Sequence, residues 1–425
     1  MKIKNTISSY IPNNLRLGKE YKKTLNFLLQ SDSFSKEEKE KWQLEKLNEI
    51  LIYSNDYIPY YKRIFKEINL VLPLKELKGI EKIPYLTKNI IRENFEELKS
   101  IKKIKGFIVN TGGSTGTPLK LFKSKSNNIK EQAFLDFYMQ KIGLNSFKTR
   151  KAILRGPIPS NGKIFERNGN ELILSSYLLT EKTVNKYVEI LEKFNPKILH
   201  IYPSSMYTLV KLIEKNNLKI NIPNLKIIFS SSETFNIKQK ELIAKVFKCK
   251  MFDLYGNTEN SVHATNLYPE KGYKFNEFYS YIEIKDNEII STGFNDLGMP
   301  LIRYKTGDEI EYIDKDVFII KGRTQDYIYG KNKEKYPVVG IIFGQHFSSF
   351  KDMGNFQIVQ KELGKIDFII EGNKLSSEKE NEIKAILEKA TNNNLEVIVK
   401  YINKIKRTNR GKYKFLEQNI KEVKN

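Results

Sequence analysis

The chain has little cysteine and histidine, and it lacks long apolar runs. A single cysteine, Cys249, cannot form an internal disulfide, which favours a reducing compartment. The three histidines, His200, His263 and His346, lie far apart, so no histidine and cysteine cluster has the spacing of a zinc site. No apolar run approaches the ~20 residues of a membrane span, and the first residues lack a signal-peptide core. These absences predict a cytoplasmic protein without a membrane span.

The positive charge of the chain is large but dispersed. Lys and Arg total 73 against 50 Asp and Glu, which gives a formal net charge of +23. Lysine alternates with Glu, Asn and Ile throughout, whereas a nucleic-acid-binding tail is typically a block of like charge. The charge therefore indicates weak attraction to polyanions, and it does not by itself predict a nucleic-acid partner.

The pattern of apolar residues predicts an α/β protein. The first hundred residues favour helices, and Ser35 with Glu38 has the spacing of a capping box. From residue 106, short apolar strands at 197–202, 225–229 and 250–255 alternate with amphipathic helices. This alternation predicts a parallel sheet with helices on both faces, whose ligands bind beyond the carboxyl ends of the strands.

Two further units follow that sheet. Residues 278–322 alternate between short strands and turns, which predicts a small antiparallel unit. Residues 357–402 read as strand, strand, helix and strand, with Ser377 and Glu380 as a capping box. We therefore predict a large domain over residues 1–325 and a small α+β domain over residues 326–425.

One loop is rich in glycine and hydroxyl side chains. Such a segment lets backbone amides approach an anion closely, which suits a polyphosphate, although a surface turn is the alternative. No Gly-Lys-Ser/Thr sequence follows, so it is not a Walker loop. Its residues are Thr111, Gly112, Gly113, Ser114, Thr115, Gly116 and Thr117.

Polar residues follow several of the predicted strands. Asp253 can accept a hydrogen bond from an exocyclic amine, Tyr255 can stack on a base, and Glu259 can hold a hard cation. Asp308 stands on a glycine turn where it can bind two ribose hydroxyls, and Arg323 offers a fork to phosphate. Each of these also fits an ordinary strand end or a solvated surface residue.

Taken together, the motifs resemble the adenylate-forming, AMP-binding enzymes, in the branch of phenylacetate-coenzyme A ligase and the CapK-like capsule-biosynthesis proteins. Each motif is short, but all occur in the order of that family. They are residues 83–88, 111–118, 231–233, 253–259, 299–308, 322–326 and 410–412.

The resemblance implies a role for each matching residue. The loop of residues 111–117 closes over the β- and γ-phosphates. The adenine is framed by Ser232, Glu233, Asp253 and Tyr255, and Gly256 is a further nucleotide-binding residue.

The resemblance also implies a catalytic set. Thr258 contacts phosphate, Glu259 positions Mg²⁺, and Asp308 binds the ribose, with Arg323 near the ribose and phosphates. Lys412 matches the mobile lysine of the C-terminal domain.

Three positions depart from the pattern of the family. Leu119 replaces a lysine after the proline of the loop, Ser231-Ser232-Glu233 replaces Gly-Ala-Glu, and Gln325 stands at the hinge. In this fold the acid is expected to bind among the strand and helix after residue 152, residues 202–207 and residues 262–267. Aromatic residues such as Tyr177, Tyr202 and Phe229 equally suit a core, and His263 is a candidate to line the acyl site.

The resemblance implies ATP-dependent activation of a carboxylic acid as an acyl-adenylate, with release of pyrophosphate and ATP and Mg²⁺ as cofactors. The acyl group then passes to a thiol, with coenzyme A as the possible acceptor. The alternatives are transfer to an amine, a sugar or a carrier protein in surface-polysaccharide or secondary-metabolite synthesis, or a non-catalytic polyanion-binding protein on this fold. A homodimer is left open.

Overall fold

The computed structural model describes residues 13–110, 119–145, 149–155, 163–176, 178–231, 237–268, 272–323, 327–337, 355–406, 416–418 and 420. Its α-helices are α1 (Asn13–Arg16), α2 (Gly18–Ser31), α3 (Lys36–Tyr57), α4 (Pro59–Glu67), α5 (Lys88–Glu93), α6 (Lys125–Lys141), α7 (Val184–Phe194), α8 (Pro203–Lys215), α9 (Ile237–Phe247) and α10 (Ser377–Ala390). A 3-10 helix spans Leu77–Lys82. Within these ranges, no helix is long and apolar enough to cross a bilayer.

The strands are β1 (Gly106–Asn110), β2 (Lys120–Ser124), β3 (Lys151–Leu154), β4 (Phe165–Asn168), β5 (Glu171–Leu174), β6 (Ile198–Ile201), β7 (Ile227–Ser231), β8 (Lys250–Gly256), β9 (His263–Tyr268) and β10 (Lys274–Phe275). They continue with β11 (Ser280–Lys285), β12 (Glu288–Gly293), β13 (Tyr304–Asp314), β14 (Val317–Arg323), β15 (Tyr327–Tyr329), β16 (Lys335–Pro337), β17 (Phe356–Glu362), β18 (Lys365–Glu371), β19 (Glu396–Ile402) and β20 (Leu416–Gln418).

The N-terminal helices form a support for the later strands. The predicted capping box is confirmed: the Glu38 amide donates to the Ser35 hydroxyl at 3.2 Å, and the Ser35 amide donates to the Glu38 carboxylate at 2.7 Å. The buried Tyr61 hydroxyl of α4 donates to the Pro300 carbonyl at 3.1 Å and accepts from the Ile302 amide at 3.0 Å. Helix α4 is thereby joined to the segment that leads into β13.

The largest sheet has the order β10-β9-β8-β7-β6-β3-β5-β4. Its centre is parallel, because β3 pairs in parallel with β5 and β6, β6 with β7, and β7 with β8, whereas the pairs at both ends are antiparallel. All four residues of β6 are buried, as expected for a strand covered on both faces. The predicted α/β class is confirmed, and the carboxyl ends of β3, β6, β7 and β8 meet at one edge.

The predicted antiparallel unit is the sheet β11-β12-β13-β14. Its first hairpin turns at Asp286 and Asn287, which both have positive φ angles, of 50° and 64°. Such angles define the tight turn that matches the twist of paired strands, and Asn and Asp tolerate them.

The C-terminal sheet has the order β19-β18-β17-β20, with α10 packed against it. Its buried residues, including Phe368, Ile383 and Leu387, form a hydrophobic cluster separate from those of the larger sheets. The predicted helix cap was wrong by one residue: the hydroxyl of Ser376, not that of Ser377, accepts from the Lys379 amide. The predicted domain boundary at 325/326 falls on residues outside the described ranges and stays a prediction.

Candidate active site

A hairpin brackets the glycine-rich loop. Strands β1 and β2 pair antiparallel with Asn110 opposite Lys120, so residues 111–118 connect two paired strands. These loop residues, which the resemblance assigns to the β- and γ-phosphates, lie outside the described ranges. Leu119, where the family has lysine, is 1% exposed and packs in the N-terminal core, so its side chain serves the core.

Two predicted nucleotide-binding residues meet near the carboxyl end of β8. The Tyr255 hydroxyl donates to Oδ2 of Asp308 at 2.6 Å. Asp308 is buried in β13, and the strand register places Arg323 of β14 directly opposite it. The fold therefore brings together three positions that are separated by up to 68 residues in the sequence, the difference between 323 and 255.

The predicted cation ligand is held from the same strand. The Tyr304 hydroxyl donates to Oε1 of Glu259 at 2.7 Å, and Tyr304 is completely buried. The adjacent Asn260 accepts a hydrogen bond from Nζ of Lys123 in β2 at 2.7 Å. The turn that carries Glu259 is thus tied both to β13 and to the hairpin around the glycine-rich loop.

Strand β13 carries both contacts through buried residues. Tyr304, Thr306 and Asp308 are all buried. The strand is bulged between Lys305 and Glu309, which pair with Ile290 and Glu288, and Gly307 has a positive φ angle of 77°. The same strand therefore contacts Glu259 through Tyr304 and Tyr255 through Asp308.

An arginine fixes the start of that strand. Arg303 makes two hydrogen bonds to the Glu283 carboxylate, at 2.7 and 3.0 Å, and its Nη1 donates to the carbonyls of Glu81 and Ile83. Its own carbonyl accepts from the Leu86 amide at 3.0 Å. These hydrogen bonds join the motif at residues 83–88 to the motif at residues 299–308. Such a contact is expected if both motifs contribute to one site.

Asp253 has a different environment from the other candidates. It is 2% exposed, and its carboxylate accepts from Ser230 at 2.5 Å and from Tyr273, with Nζ of Lys240 at 3.4 Å. Burial lowers the pKa of Lys240 and raises the pKa of Tyr273. Both carboxylate oxygens are thus engaged within the protein, and contact of Asp253 with adenine stays a prediction.

Two further predicted site residues, Gly256 and Thr258, lie at and just after the end of β8. Gly256 ends β8 and pairs with His263, and Thr258 lies in the turn just before Glu259. The backbone of Arg323 ends β14, opposite Asp308. Four further candidates lie outside the described ranges: Ser232, Glu233, Gln325 and Lys412.

His263 is completely buried in an aromatic cage. Its ring stacks on Tyr138 with centroids 5.3 Å apart and also contacts Tyr279 and Phe134. Neither ring nitrogen has a hydrogen-bond partner in the described structure, and burial lowers the pKa of His263 to about 3. Phe229, named with His263 as a candidate for the acid site, is likewise buried in the face of the large sheet.

The chemistry of Glu259 fits a magnesium ion. One carboxylate oxygen accepts from Tyr304, which leaves the second oxygen for a cation. Within the described residues, no group of three or more His, Cys, Asp or Glu side chains is arranged to hold a metal by itself. Mg²⁺ commonly takes only one or two carboxylates, with substrate phosphates and water completing its shell.

Comparisons with known proteins bear on the fold. No family model matches the chain. A structure of 2-hydroxyisobutyryl-CoA ligase in the postadenylation state, in complex with R3-HIB-AMP, matches with a TM-score of 0.67 at 16% identity, over 92% of this chain and 91% of the other. The chain has the fold of the adenylate-forming ligases. Protein CapK from Staphylococcus aureus is 27% identical over 406 residues, covering 89% of each chain, which supports the CapK-like branch.

The conformational state of the neighbour affects the match. The same ligase in the thioesterification state, in complex with 2-HIB-AMP and CoA, matches at a TM-score of 0.54 over the same shares of the two chains. The postadenylation state therefore resembles this adenylate-forming fold more closely than the thioesterification state does.

Proposed function

We propose that the chain activates a carboxylic acid with ATP as an acyl-adenylate and then transfers the acyl group to a thiol such as that of coenzyme A. The observation that carries the proposal is the pair of contacts made by buried residues of β13, Asp308 to Tyr255 and Tyr304 to Glu259. They join the residues proposed for ribose, adenine and metal in a chain with the fold of the acid-CoA ligases.

The reaction follows from the chemistry of carboxylates. A carboxylate is a poor electrophile at carbon because its leaving group would be oxide. A carboxylate oxygen therefore attacks the α-phosphorus of ATP in line, an O–P bond forms, and the bond to the departing pyrophosphate breaks. Because the transition state spreads charge over phosphoryl oxygens, catalysis depends chiefly on positioning and electrostatic stabilisation.

The site residues bind the nucleotide and stabilise the charge that develops in that step. Asp308 accepts from the ribose hydroxyls, Tyr255 stacks on adenine, and Arg323 donates to phosphate oxygens. Mg²⁺ bound by the free oxygen of Glu259 would supply positive charge at the phosphates. The backbone amides of residues 111–117 close over the β- and γ-phosphates, and Ser232 and Glu233 complete the adenine site.

A mobile lid completes the proposal. The mixed anhydride hydrolyses if water reaches it, so a closing domain protects it. We assign this part to residues 326–425, with Gln325 as the hinge and Lys412 as the cation that reaches the carboxylate and the α-phosphate. Because ATP and coenzyme A are cytoplasmic substrates, the reaction is placed in the cytoplasm.

A second candidate keeps the adenylation step and changes the acceptor. The similarity to Protein CapK favours transfer to an amine, a sugar or a carrier protein. The motifs resemble those of the CapK-like capsule-biosynthesis proteins, and such an acceptor would suit surface-polysaccharide synthesis.

A polyanion-binding protein without enzymatic activity is the third candidate, and the net charge of +23 motivates it. Salt-sensitive retention on DNA without turnover of any acid would favour it.

Exchange of labelled pyrophosphate into ATP tests the adenylation step without knowledge of the acceptor. We expect exchange that depends on an acid when aryl, fatty, hydroxy and amino acids are supplied separately. Lys412→Ala should slow this exchange by on the order of 100-fold, as loss of one transition-state contact does. A Lys412→Ala protein that exchanges at the wild-type rate would refute the role of that lysine.

The acceptor is tested in a second assay with the acid found in the first. Release of AMP that requires coenzyme A supports the thiol acceptor. Release that requires an amine, a sugar or a carrier protein supports the second candidate instead. Absence of exchange with every acid, together with DNA retention that declines steeply with salt, would favour the third.

A further inference from the structure

Three neighbouring strands bring Arg155, His200 and Ser231 together at the carboxyl edge of the large sheet. Arg155 directly follows β3, His200 lies in β6, and Ser231 ends β7, and these three strands are adjacent. Nη1 of Arg155 is 3.2 Å from Nε2 of His200, and the same Nε2 is 3.2 Å from the Ser231 hydroxyl. This cluster lies on the edge that holds Tyr255, but on different strands.

The protonation of His200 follows from its partner. Arginine can only donate, so Nε2 of His200 accepts from Arg155, and the imidazole is neutral with its proton on Nδ1. Burial holds the pKa of His200 well below its usual value, and the charges of Arg155 and Lys151 lower it further. His200 therefore orients the guanidinium without adding a negative charge that would neutralise it.

Arg155 has no carboxylate partner among the residues that the structure describes. Among those residues, its Nη1 contacts Nε2 of His200, and its Cζ atom lies 6.0 Å from the ring centre of Tyr202 in a cation–π contact. Glu171 affects Arg155 only by long-range electrostatic attraction. The carboxylate of Glu171 itself forms an ion pair with Nζ of Lys151 at 2.6 Å. The guanidinium is half-buried, and burial lowers its pKa. A partly desolvated guanidinium with free N–H groups favours an anion.

Helix α8 adds to the positive potential at this edge. It starts at Pro203, immediately after β6, so the amino end of its dipole lies at the carboxyl edge of the sheet. Its first turn contains Ser205, which is 1% exposed and whose hydroxyl has no hydrogen-bond partner in the described structure. The amino end of the helix and this buried hydroxyl can both donate to an anion bound at this edge.

The distance from the reaction centre indicates which group would bind. The guanidinium contacts β6, which is two strands from β8, or about 10 Å at ~4.8 Å per strand. A group bound there is several bonds away from a carboxylate that reacts near Glu259.

We propose that Arg155, oriented by His200, binds a second acidic group at the far end of the acid substrate, so that the preferred substrates are dicarboxylic acids. This inference rests on the proposed function, because it names the substrate class of the same site. The role is one of specificity: Arg155 contacts the substrate but takes no part in the bonds that change.

Matched pairs of acids test the inference. Pyrophosphate exchange is measured with succinate and butyrate, glutarate and valerate, and adipate and hexanoate, each pair differing only in the second carboxylate. The variants are Arg155→Gln, Arg155→Lys and, as a control, Arg150→Gln. Arg150 is an exposed arginine just before the opposite end of β3. Thermal melting with each acid, without ATP, gives a second readout that needs no turnover.

We expect the wild type to prefer at least one dicarboxylate. Arg155→Gln should raise the KM of that acid by about 10- to 100-fold, the effect of losing a charge-assisted pair, and leave its monocarboxylate partner unchanged. Arg155→Lys should retain part of the preference, since it keeps the charge but loses the fork. Arg150→Gln should behave as the wild type.

The outcomes separate the inference from the proposed function. Exchange with monocarboxylates that Arg155→Gln does not alter, and no preference for any dicarboxylate, overturns the inference and leaves the function standing. Absence of exchange with every acid removes the function; the melting assay then decides on Arg155. A stabilisation by dicarboxylates that Arg155→Gln abolishes supports the anion site, and no stabilisation by any dicarboxylate overturns it.

Discussion

The hydroxyl of Tyr304 holds Oε1 of Glu259 at 2.7 Å, so a core residue fixes the orientation of a carboxylate at the site. Tyr304 is completely buried among the residues that join the N-terminal helices to β13, and its ring has little freedom to move. The glutamate therefore keeps one oxygen occupied and presents the other. This pre-organisation reduces the conformational cost of holding a cation between the carboxylate and a bound nucleotide.

Removing the Tyr304 hydroxyl should lower the affinity for magnesium more than it lowers the stability of the fold. We expect Tyr304→Phe to raise the Mg²⁺ concentration for half-maximal pyrophosphate exchange by about tenfold, since a hydrogen bond to a charged group contributes about 1.5–3 kcal/mol. Glu259→Gln should reduce the rate by on the order of 100-fold. Magnesium titrations of the exchange rate measure both effects.

Tyr187→Phe is the matched control for that experiment. Tyr187 is also completely buried, and its hydroxyl donates to the Ser175 carbonyl at 2.6 Å in a separate core. It should lose stability to a similar extent while keeping the wild-type magnesium dependence. Equal magnesium dependence in Tyr304→Phe and the wild type would contradict the proposed role of Glu259.

Asp308 should control the affinity for ATP. Asp308→Asn keeps the size of the side chain and its contact with Tyr255 but removes the charge that accepts from ribose hydroxyls. We expect the KM for ATP to rise about tenfold, because charge-assisted hydrogen bonds are roughly twice as strong as neutral ones. Glu311→Gln, an exposed change on the same strand, should leave the KM unchanged. An unaltered KM in Asp308→Asn would exclude the ribose contact.

Local signals explain why much of the fold was predictable. The Ser35 capping box, the turn at Asp286 and Asn287, and the alternation of strands with helices all depend on neighbours in the sequence. The choice between Ser376 and Ser377 as the cap was not predictable, because both residues can cap and the backbone direction decides. Strand β20 was missed because its three residues are fixed by distant parallel pairing with β17.

The side-chain contacts of the site could not be predicted from the sequence, because they join residues that are far apart along the chain. Glu259 and Tyr304 are 45 residues apart, and Glu283 and Arg303 are 20 apart. No periodicity links such pairs. The motifs identified segments that meet in the fold, whereas the identity of Tyr304 as the partner of Glu259 required the three-dimensional placement of β13 next to the turn after β8.

The buried ion pair of Arg303 should dominate the stability of the segment it holds. Its side chain is 7% exposed and that of Glu283 is 13% exposed, and two carbonyls also accept from the guanidinium. Arg303→Ala leaves a buried carboxylate unpaired, so we expect a loss of about 3–5 kcal/mol in the free energy of unfolding. Urea unfolding monitored by circular dichroism measures it.

Arg63→Ala provides the comparison for Arg303. Arg63 pairs with Glu97 at 3.2 Å, but both side chains are about half exposed. Loss of an exposed pair changes stability by only about 0–1 kcal/mol. Equal destabilisation by the two substitutions would mean that Arg303 does not stabilise the contact between residues 83–88 and residues 299–308.

His263 should make the stability of the protein fall in mild acid. Burial lowers its pKa to about 3 in the folded state, from a value near 6.5 in the unfolded chain. Between these values the unfolded chain binds the extra proton. The contribution of His263 is therefore complete above pH 6.5 and declines as the pH falls towards 3, by about 1.4 kcal/mol per pH unit.

Replacing His263 with phenylalanine isolates that contribution. Phenylalanine suits a cage formed by Tyr138, Tyr279 and Phe134, and it removes two ring nitrogens that have no hydrogen-bond partner among the described residues. Between pH 7.5 and pH 5.0 the wild type should lose about 2 kcal/mol more than His263→Phe does. Urea unfolding at both pH values measures the difference, with His200 present in both proteins. Parallel losses in the two proteins would mean that His263 is protonated in the folded state, and its aromatic cage would then have to admit water or a counter-charge.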